Sequence, residues 1–480
     1  MRRTKIVCTI GPATTSPEMI EHLTKAGMNV ARLNFSHGSH EEHLARIREI
    51  RRIADRLGAT VGILQDLPGP KIRIGRIADA PVVVEPGRRF VFTAREVEGS
   101  EERVTLPHPE IVGRIKRGAL IYVDDAKLEF RVVSTTQTDI VTRVVVGGEL
   151  GSNKGFTAPG VDIDVPGVTE KDILDLRFGL ENGVDWVASS FVRKAEDLAP
   201  LREEMRRAGV SVPVIAKIER PEAVRNIQEI VGAYDGVMVA RGDMGIELPI
   251  DQVPEIQKSI IRHCNRAGKP VITATQMLDS MMNNPRPTRA EVTDVANAII
   301  DGTDATMLSG ETAIGSYPLQ AVKMMDRIAR RTEKSLDYRA ILQRRMQYST
   351  SDVTEAIGEA AVKLAADLDV PAIITCTFGG ATARLVSKYR PRARIIAAAS
   401  NEQTARRLTL SWGVCPLCVP MAGDTDELIS FAVGAARERR LVRDGANVVI
   451  IAGIPVGEPG NTSLIRVVKM GADCLRAVCR

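Results

Sequence analysis

The sequence predicts a (β/α)8 barrel (TIM barrel) that carries an inserted β domain and a second, C-terminal α/β domain. Three observations support this fold class. Three strands alternate with helical segments up to Asp66, and the alternation resumes near Pro166 for five more strands. A long stretch rich in strands and loops separates these two parts. After residue 351, a further series of apolar strands and helices begins. Eight strands with intervening helices are the rhythm expected of such a barrel.

The first three strands follow from short apolar runs with polar ends: TKIVCTI, MNVARLNFS and TVGILQD. Gly11 and Pro12 end the first of them. Between the strands, apolar residues at helical spacing precede Gly27 and Gly58, and glycine is a typical residue just after a helix. The first part of the barrel is therefore expected to read strand, helix, strand, helix, strand.

Five strands of the second part also end in polar or charged residues: DWVASSF, VPVIAKIE, GVMVARGD, PVITATQM and DATMLSGE. Active sites of (β/α)8 barrels lie at the carboxyl ends of the strands, which is where these residues fall. A doubly wound open sheet is the structural alternative. It explains less readily why all eight strands end in polar residues.

The predicted domains are the barrel at 1–70 and 166–340, a β lid at 71–165 and a C-terminal α/β domain at 351–480. The lid is predicted as a small, barrel-like β domain because VVVEPGRRFVFTA, ALIYVDD, LEFRVVS and DIVTRVVVGG show little helical periodicity. Since it leaves the third strand, it should overhang the site. AIITC, RIIAAA, GVCPLCVP and NVVIIAG predict an open α/β sheet in the last domain.

Composition excludes several classes of partner. Lys and Arg number 65 against 60 Asp and Glu, a net charge of +5 without a dense basic block, so no nucleic-acid partner is predicted. No apolar run approaches the roughly 18 residues of a membrane span. Seven irregularly spaced cysteines indicate reduced thiols and a cytoplasmic location. We interpret the single CxxC, Cys415 and Cys418, as buried small side chains rather than a zinc or redox site.

Two neighbouring strands carry the strongest chemical signal. Lys217 and Glu219 are two residues apart and share one face of a strand. The next strand ends in Arg241, Gly242 and Asp243. Two carboxylates beside a lysine are typical of a divalent metal site with a cation directed at an anionic substrate. This combination suits phosphoryl transfer.

A second anion site is predicted in the C-terminal domain, in the string TCTFGGATARLV. Backbone N–H groups at a helix N-terminus bind phosphate readily. The alternative is a plain glycine-capped turn. The candidate anion-binding residues, which we place between a strand and a helix N-terminus, are Thr375, Thr377, Gly379, Gly380 and Thr382.

The strings ARLNFSHG, KIE, ARGDMGIE, ATQML, RPTRAE and LSGETA, in this order, resemble the pyruvate kinase family. The resemblance covers essentially the whole chain. It implies a glycolytic, magnesium-dependent enzyme that passes the phosphoryl group of phosphoenolpyruvate to ADP, giving ATP and pyruvate. It also implies that the domain at 351–480 is an effector-binding domain, with a phosphorylated allosteric effector at the predicted anion site, and that the protein is a homotetramer.

The resemblance assigns roles to individual residues. Glu219 and Asp243 would hold Mg²⁺ or Mn²⁺, and Lys217 and Arg32 would face the phosphoryl group. Thr275 becomes a substrate contact, and a water relay through Ser309 and Glu311 is the hypothesis for protonation, with a helix cap as the alternative. The remaining assignments are substrate contacts at Ser190, Gly242 and Asp243, and nucleotide contacts at Asn34, Ser36, His37, Arg73 and Lys154.

One departure concerns potassium. Family members that need K⁺ hold it with residues matching Asn34, Ser36 and Asp66 and with the carbonyl at Leu67. The string typical of these members is DTKGPEIR, whereas this chain has DLPGPKIR. Lys71 therefore stands where they have glutamate, and a fixed ammonium near the site could supply the missing charge. We predict that K⁺ can bind but is not required.

Two other functions were weighed. A metal-dependent lyase or aldolase acting on pyruvate enolates could use the same carboxylates, but it would have no use for Arg73 and Lys154 in a lid. A regulatory paralogue without turnover would have lost a key group. Lys217, Glu219, Asp243, Arg32 and Thr275 are all present.

Overall fold

The structure is a computed structural model that describes residues 2–161, 166–347, 352–454 and 461–471. Its first part alternates strands and helices as predicted. Helix α1 begins after Ser16, whose side chain accepts a hydrogen bond from the Met19 N–H, and helix α2 begins with a capping box. Both helices end at a glycine in the left-handed conformation. The elements are β1 Lys5–Thr9, α1 Pro17–Ala26, β2 Val30–Asn34, α2 His40–Leu57 and β3 Gly62–Asp66.

The inserted segment forms a curled sheet of six strands around its own apolar core. Phe92 lies at the centre of this core, with its ring 5.1 Å from the rings of Phe90 and Phe130. The strand order is β11-β7-β8-β9-β5-β6, and β10 pairs with β4 alone. The elements are β4 Val82–Val84, β5 Arg89–Thr93, β6 Arg103–Thr105, α3 Pro109–Val112, β7 Leu120–Val123, β8 Leu128–Thr135, β9 Asp139–Val146, β10 Gly148–Leu150 and β11 Phe156–Thr157.

The second part supplies the other five barrel strands. Thr169 and Thr288 begin helices α4 and α10 with capping boxes. The elements are α4 Glu170–Glu181, β12 Trp186–Ser189, α5 Ala199–Arg207, β13 Val214–Ile218, α6 Pro221–Arg225, α7 Ile227–Ala233, β14 Gly236–Ala240, α8 Arg241–Glu247, α9 Val253–Ala267, β15 Val271–Ala274, α10 Arg289–Asp301, β16 Ala305–Leu308, α11 Gly310–Ala313, α12 Pro318–Ser335 and α13 Tyr338–Met346.

The eight strands close into a parallel barrel in the order β1-β16-β15-β14-β13-β12-β3-β2. Closure is made by β1, which pairs with β16 at Cys8 and Leu308 and with β2 on its other side. The predicted barrel is thereby confirmed and the open-sheet alternative is wrong. Because all strands run in one direction, their carboxyl ends form a single rim.

The C-terminal domain is the predicted open sheet, in the order β19-β18-β17-β20-β21 with β21 antiparallel to β20. In the CxxC, Cys415 is half-buried but Cys418 is exposed on the edge strand, so our interpretation of both as buried is wrong. No helix of the described residues has the length and hydropathy needed to cross a membrane. The elements are α14 Val353–Asp367, β17 Ala372–Thr377, α15 Ala381–Lys388, β18 Arg394–Ala399, α16 Glu402–Leu408, β19 Val414–Cys418, α17 Thr425–Glu438, β20 Asn447–Gly453 and β21 Thr462–Lys469.

A fully buried carboxylate joins the barrel to the C-terminal domain. Asp185 lies just before β12, and its Oδ2 accepts hydrogen bonds from Arg51 and from the Ile63 N–H, both at 2.7 Å. Its Oδ1 accepts from Nε of Arg406 on α16 at 3.0 Å. Since Asp185 is 0% exposed, this carboxylate is the counter-charge for arginines of both domains.

We expect the substitution Asp185→Ala to lower the free energy of unfolding by about 3 to 5 kcal/mol, because it leaves buried cationic groups without their partner. Urea denaturation followed by circular dichroism measures the change. Asp367→Ala is the matched control, since its ion pair with Lys363 is exposed on both sides and should be worth about 1 kcal/mol or less. Equal losses in the two variants would contradict the assigned role of Asp185.

Candidate active site

The ends of four barrel strands bring a cluster of charged side chains together. The Nε atom of Arg32 lies 2.6 Å from Oδ2 of Asp66, and Nζ of Lys217 lies 3.2 Å from Oδ1 of the same carboxylate. The Lys217 ammonium is also 3.1 Å from Oε1 of Glu219 and donates to Oγ of Ser190 at 2.6 Å. Asp66 and Glu219 are each 1% exposed. The cluster therefore holds two cations and two carboxylates almost out of contact with solvent.

Burial and charge act in opposite directions on these groups. Burial alone would lower the pKa of Lys217, but Asp66 and Glu219 outweigh it and raise the pKa above its ordinary value. Burial would likewise raise the pKa of Asp66, yet Arg32 and Lys217 hold it below the usual range. At neutral pH, Lys217 is thus a fixed cation and Asp66 a fixed anion.

Glu219 has one oxygen held by the protein and one without a hydrogen bond. Its Oε2 accepts from the Phe191 N–H at 2.6 Å, whereas Oε1 is buried and makes no hydrogen bond. Burial raises the pKa of this carboxyl to about 7; Lys217 opposes the shift and Asp243, in the first turn of α8, adds to it. A divalent cation would use the remaining oxygen and offset the repulsion between the two carboxylates, so the residues fit the predicted metal.

The protein offers this position few further ligands. The structure reveals no group of three or more His, Cys, Asp and Glu side chains that could hold a metal in the ranges it describes. A cation at Glu219 and Asp243 would then take its other ligands from bound molecules, as Mg²⁺ commonly does when it is shared with a phosphate.

A threonine with a strained backbone directly follows β15. Thr275 has φ of 67°, a left-handed conformation that is unfavourable for a β-branched residue and costs about 1 to 3 kcal/mol. Its Oγ1 accepts from the Gly242 N–H at 2.8 Å, so the N–H predicted to bind substrate already has a partner. Arg241 donates to the Thr275 carbonyl and pairs with Asp294, both at 2.7 Å, which gives Arg241 a structural role.

Ser309 and Glu311 lie after the last barrel strand. The Glu311 carboxylate is buried and accepts from the N–H groups of Ser309 at 2.7 Å and Leu278 at 3.0 Å. Burial raises its pKa above the ordinary value. The Ser309 hydroxyl is buried without a hydrogen-bond partner among the described residues, and it does not cap α11. Of the two hydrogen bonds of the helix cap considered as the alternative, only the one from the Ser309 N–H to Glu311 is present.

The groups predicted to hold a monovalent cation are already bonded to the protein. Oδ1 of Asn34 accepts from the Ser36 N–H at 3.2 Å. The Leu67 carbonyl accepts from the Ser190 hydroxyl at 2.7 Å, and Asp66 carries the two ion pairs described above. Asn34 and Asp66 nevertheless lie side by side, because they are register partners on the paired strands β2 and β3.

Lys71 makes its ion pair with the lid. Its ammonium lies 3.3 Å from Oδ1 of Asp125, which is its only ion pair in the part of the chain that the structure describes. An acidic turn of the inserted domain therefore holds this ammonium, and its role at the cation site stays a prediction.

The lid brings its two predicted nucleotide residues side by side. Arg73 pairs with Gly155 across a short antiparallel bridge, and its guanidinium donates to the Asn153 carbonyl at 2.9 Å. Lys154 lies in the same bridge, with its ammonium 3.0 Å from Oδ1 of Asp124. Both cations therefore lie on the same pair of antiparallel segments at the base of the lid.

His37 lies in the exposed turn after β2, near a histidine that the sequence analysis missed. The His37 carbonyl accepts a hydrogen bond from Nε2 of His43 at 2.9 Å. His43 is buried and stacks on Phe35 at 3.9 Å, and burial lowers its pKa to about 4. The neutral His43 ring thus fixes the turn that carries His37.

Three of the five predicted effector residues lie within a strand or helix. Thr375 and Thr377 belong to β17, which pairs in register with β18 up to Thr377, and Thr382 lies in the first turn of α15, so our placement of these three between strand and helix is wrong. Thr375 is fully buried. Oγ1 of Thr377 accepts from the N–H of Gly380, which has a left-handed φ of 84°. Gly379 has open space around it, and the hydroxyl of Thr382 lies 3.0 Å from a hydroxyl of β21.

Two residues at the barrel rim escaped the sequence analysis. Thr9 at the end of β1 accepts a hydrogen bond from Arg32 at 3.0 Å, and Phe191 has a left-handed φ of 54° that presents its N–H to Glu219. The polar end of the TKIVCTI strand was the available signal for Thr9. No feature of the sequence indicates the left-handed backbone of Phe191.

The fold and this site together define a barrel enzyme that handles anions at a buried lysine beneath a β lid. Comparison with known proteins specifies the family. The description "Pyruvate kinase, barrel domain" matches residues 1–322, and "Pyruvate kinase, alpha/beta domain" matches residues 355–468. The chain therefore belongs to the pyruvate kinase family, and it is a phosphotransferase.

Similar proteins span nearly the full chain. A pyruvate kinase of Geobacillus stearothermophilus is 51% identical over 97% of this chain and 80% of its own length. One of Sporosarcina psychrophila is 47% identical over 98% and 81%. A crystal structure of a pyruvate kinase from Cryptosporidium parvum is similar with a TM-score of 0.92 and 37% identity, covering 98% of this chain and 96% of that one.

Proposed function

We propose that this chain transfers the phosphoryl group of phosphoenolpyruvate to ADP at the barrel rim, with Lys217 as the cation that faces the transferred group. The observation that carries the proposal is the buried ammonium of Lys217, fixed by Asp66, Ser190 and Glu219. A charge fixed before the reaction begins needs no reorganisation when negative charge moves in the transition state.

The phosphoryl group and the carboxylate of the substrate need different partners. Arg32 is anchored by Asp66 and Thr9 and contributes a second cation to the phosphoryl group from β2. The start of α8, at Asp243, offers backbone N–H groups to the substrate carboxylate. Since Gly242 donates to Thr275, substrate would either take over that N–H or leave Thr275 as the contact.

Glu219 and Asp243 are the residues that would hold Mg²⁺ or Mn²⁺. Oε1 of Glu219 has no hydrogen bond among the described residues and contacts only the Lys217 ammonium, at 3.1 Å; this and the mutual repulsion of the two carboxylates support the assignment. The bound cation would neutralise charge on the carboxylate and phosphoryl oxygens of the substrate. With Lys217 and Arg32 it would leave the site able to accept a trianionic substrate.

Protonation of the enolpyruvate product is assigned to the side of Thr275. A threonine hydroxyl is a weak acid, so we assign the proton path to a water chain that ends at Ser309 and Glu311. The Ser309 hydroxyl, buried without a hydrogen-bond partner among the described residues, and the Glu311 carboxyl, whose pKa burial raises, support this path.

The nucleotide is assigned to the space between the turn after β2 and the base of the lid. Arg73 and Lys154 supply cations for its phosphates, and Asn34, Ser36 and His37 supply the opposite wall. A lid that carries these cations excludes water when it closes over the phosphates. This arrangement favours a kinase over the lyase or aldolase alternative, which needs no such lid.

Formation of ATP from phosphoenolpyruvate and ADP, measured with hexokinase and glucose 6-phosphate dehydrogenase, tests the reaction directly. We expect ATP formation that depends on Mg²⁺ or Mn²⁺. An enzyme that cleaves or condenses pyruvate enolates without using ADP would instead support the aldolase alternative. Purified chain carrying Lys217→Met is the control for contaminating kinase.

Potassium is proposed to be dispensable. The protein already satisfies the Leu67 carbonyl and neutralises Asp66 with two cations, and Lys71 adds positive charge at the base of the lid. We therefore expect activity in tetramethylammonium buffer to rise less than about twofold when 100 mM KCl is added, well below the effect of losing one electrostatic contact in a site.

The matched experiment is Lys71→Glu, which restores the residue typical of K⁺-requiring members. This variant should gain a dependence on K⁺, with NaCl at equal ionic strength as the salt control. A strong K⁺ stimulation of the unchanged chain would contradict the proposal.

Regulation and assembly are proposed from the C-terminal domain. The turn formed by Thr377, Gly379, Gly380 and Thr382 would bind a phosphorylated effector, with Thr375 serving only the strand beneath it. The open edge of β21 supports assembly with other copies, as a homotetramer. The free thiols of Cys8, Cys264, Cys376, Cys415 and Cys418 support a cytoplasmic location.

A further inference from the structure

Three arginines form a row across the outer face of the lid sheet. Arg131 of β8 and Arg143 of β9 are direct partners in the register of these antiparallel strands, and Arg143 is also the direct partner of Arg89 on β5. All three side chains are exposed. Because register partners lie on the same face of a sheet, the three guanidinium groups leave the lid on one side. We call these three residues the arginine row.

A fourth arginine lies beside the arginine row, on the edge strand β6. Arg103 is aligned with Val91, which is two residues from Arg89 on β5 and therefore faces the same side. None of the ion pairs among the described residues includes Arg103 or a member of the row. The arginine that precedes β5 does have a counter-charge, since Arg88 lies 3.1 Å from Glu85. The outer face of the lid is thus a concentration of exposed positive charge.

The arginine row weakens the sheet that carries it. Like charges directly opposite each other on neighbouring strands destabilise a sheet, and Arg143 has an arginine opposite it on each side. Glu129 lies on the same face of β8, two residues before Arg131, but the described residues include no ion pair between Glu129 and an arginine. An anionic partner would offset the repulsion. Binding therefore explains the arginine row better than the stability of the lid does.

Valines rather than aromatic rings flank the arginine row. Val133 of β8 and Val145 of β9 are 43% and 40% exposed. Arginine beside apolar side chains is typical of protein–protein interfaces, in which arginine is enriched over the rest of the surface. Single-stranded nucleic acid is bound largely by stacking of bases on aromatic rings, and the phenylalanines of β5 and β8 point into the lid core. The composition of the outer face therefore favours an acidic protein over a nucleic acid.

The spacing of the arginine row indicates the form of the acidic partner. Register partners on antiparallel strands lie about 4.5 to 5.5 Å apart between Cα atoms, so the row spans about 10 Å. Side chains three or four residues apart on an α-helix are separated by about 5 to 6 Å, whereas alternate side chains of an extended strand are about 6.6 to 6.8 Å apart. Carboxylates at i, i+4 and i+7 of a helix therefore match the row more closely than those of a strand.

We infer that the outer face of the lid binds the acidic face of an α-helix in a partner protein. Three carboxylates at i, i+4 and i+7 pair with the arginine row, where the planar guanidinium suits a bidentate contact. Apolar side chains of the same helix pack on Val133 and Val145. The surface is separate from the proposed catalytic reaction, since it shares no residue with the barrel rim or with Arg73 and Lys154 of the lid.

Fluorescence anisotropy with labelled peptides and the full-length protein tests this surface. The probe is an alanine-based peptide of about 20 residues, long enough to form a helix, with glutamates at i, i+4 and i+7 and leucines beside them. A matched peptide has glutamines at the three positions. We expect saturable binding of the glutamate peptide, binding of the glutamine peptide that is weaker by about tenfold or more, and no displacement of the peptide by ADP.

Variants of the protein locate the binding on the arginine row. Arg131→Gln/Arg143→Gln should weaken binding of the glutamate peptide by about tenfold or more. Its melting temperature should not fall, because the substitutions remove repulsion within the sheet. The control Arg88→Gln/Arg437→Gln removes the same charge from two exposed ion pairs elsewhere, and it should weaken binding by less than about threefold.

The inference is overturned if the glutamate peptide does not bind, if the glutamine peptide binds equally well, or if the two double variants lose affinity equally. A lower melting temperature of Arg131→Gln/Arg143→Gln would contradict the repulsion on which the inference rests. Binding of a single-stranded oligodeoxythymidine without binding of the peptide would identify nucleic acid as the partner and would likewise overturn it.

Discussion

Replacement of Lys217 by methionine should reduce the rate of phosphoryl transfer by about 100-fold or more. Methionine keeps most of the length of the lysine side chain but cannot carry charge. Asp66 and Glu219 would then face the substrate phosphoryl group without the ammonium that lies 3.2 and 3.1 Å from them. Charge developing in the transition state would therefore meet a site less positive by one unit.

The same variant should still exchange protons at the methyl group of pyruvate, because Thr275, Ser309 and Glu311 are unchanged. Coupled ATP formation measures the transfer, and NMR in deuterated water measures the exchange. Lys363→Met is the matched control, since Lys363 makes an exposed ion pair with Asp367 and its loss should leave both rates unchanged. A rate of phosphoryl transfer within about tenfold of that of the unchanged enzyme would contradict the role of Lys217.

The second large effect is expected at Glu219. Glu219→Gln preserves size but removes the negative charge, so the affinity for Mn²⁺ should fall by about 100-fold or more, which is the upper end of what outer-shell substitutions cause. Electron paramagnetic resonance of free Mn²⁺, with and without phosphoenolpyruvate, measures the affinity independently of turnover.

Glu247→Gln is the matched control for this experiment. Glu247 lies on α8 one turn beyond Asp243, and burial raises its pKa as it does for Glu219. Each carboxylate also has one cation beside it, Arg220 at 3.7 Å for Glu247 and Lys217 at 3.1 Å for Glu219. Loss of Glu247 should change Mn²⁺ affinity by less than about threefold. Equal effects of the two substitutions would indicate that general negative charge, not ligation by Glu219, holds the cation.

Much of this site could be predicted because strand periodicity is visible in the sequence. Lys217 and Glu219 are two residues apart, so their shared face follows from geometry alone. In a barrel of parallel strands, all polar residues at the carboxyl ends of the strands lie at one rim. Arg32, Asp66 and Thr275 could therefore be predicted as site residues.

Contacts between elements could not be predicted in the same way. The pairing of Arg32 with Asp66 depends on the register between β2 and β3 and on side-chain rotamers. Thr275 gives no sign of its left-handed backbone, because threonine is among the residues least suited to it. The ion pair of Lys71 was not predicted, because its partner, Asp125, belongs to a turn of the lid whose position does not follow from the local sequence.

The closure of the barrel has a consequence for biosynthesis. Strand β1 receives its second neighbour only when Leu308 is present, whereas the apolar core of the lid draws on residues between Ile72 and Ala158 alone. At about 5 to 20 residues per second, the ribosome needs roughly 15 to 60 s to reach that point. The residues that build the core of the inserted domain are therefore all synthesised before the barrel around it can close.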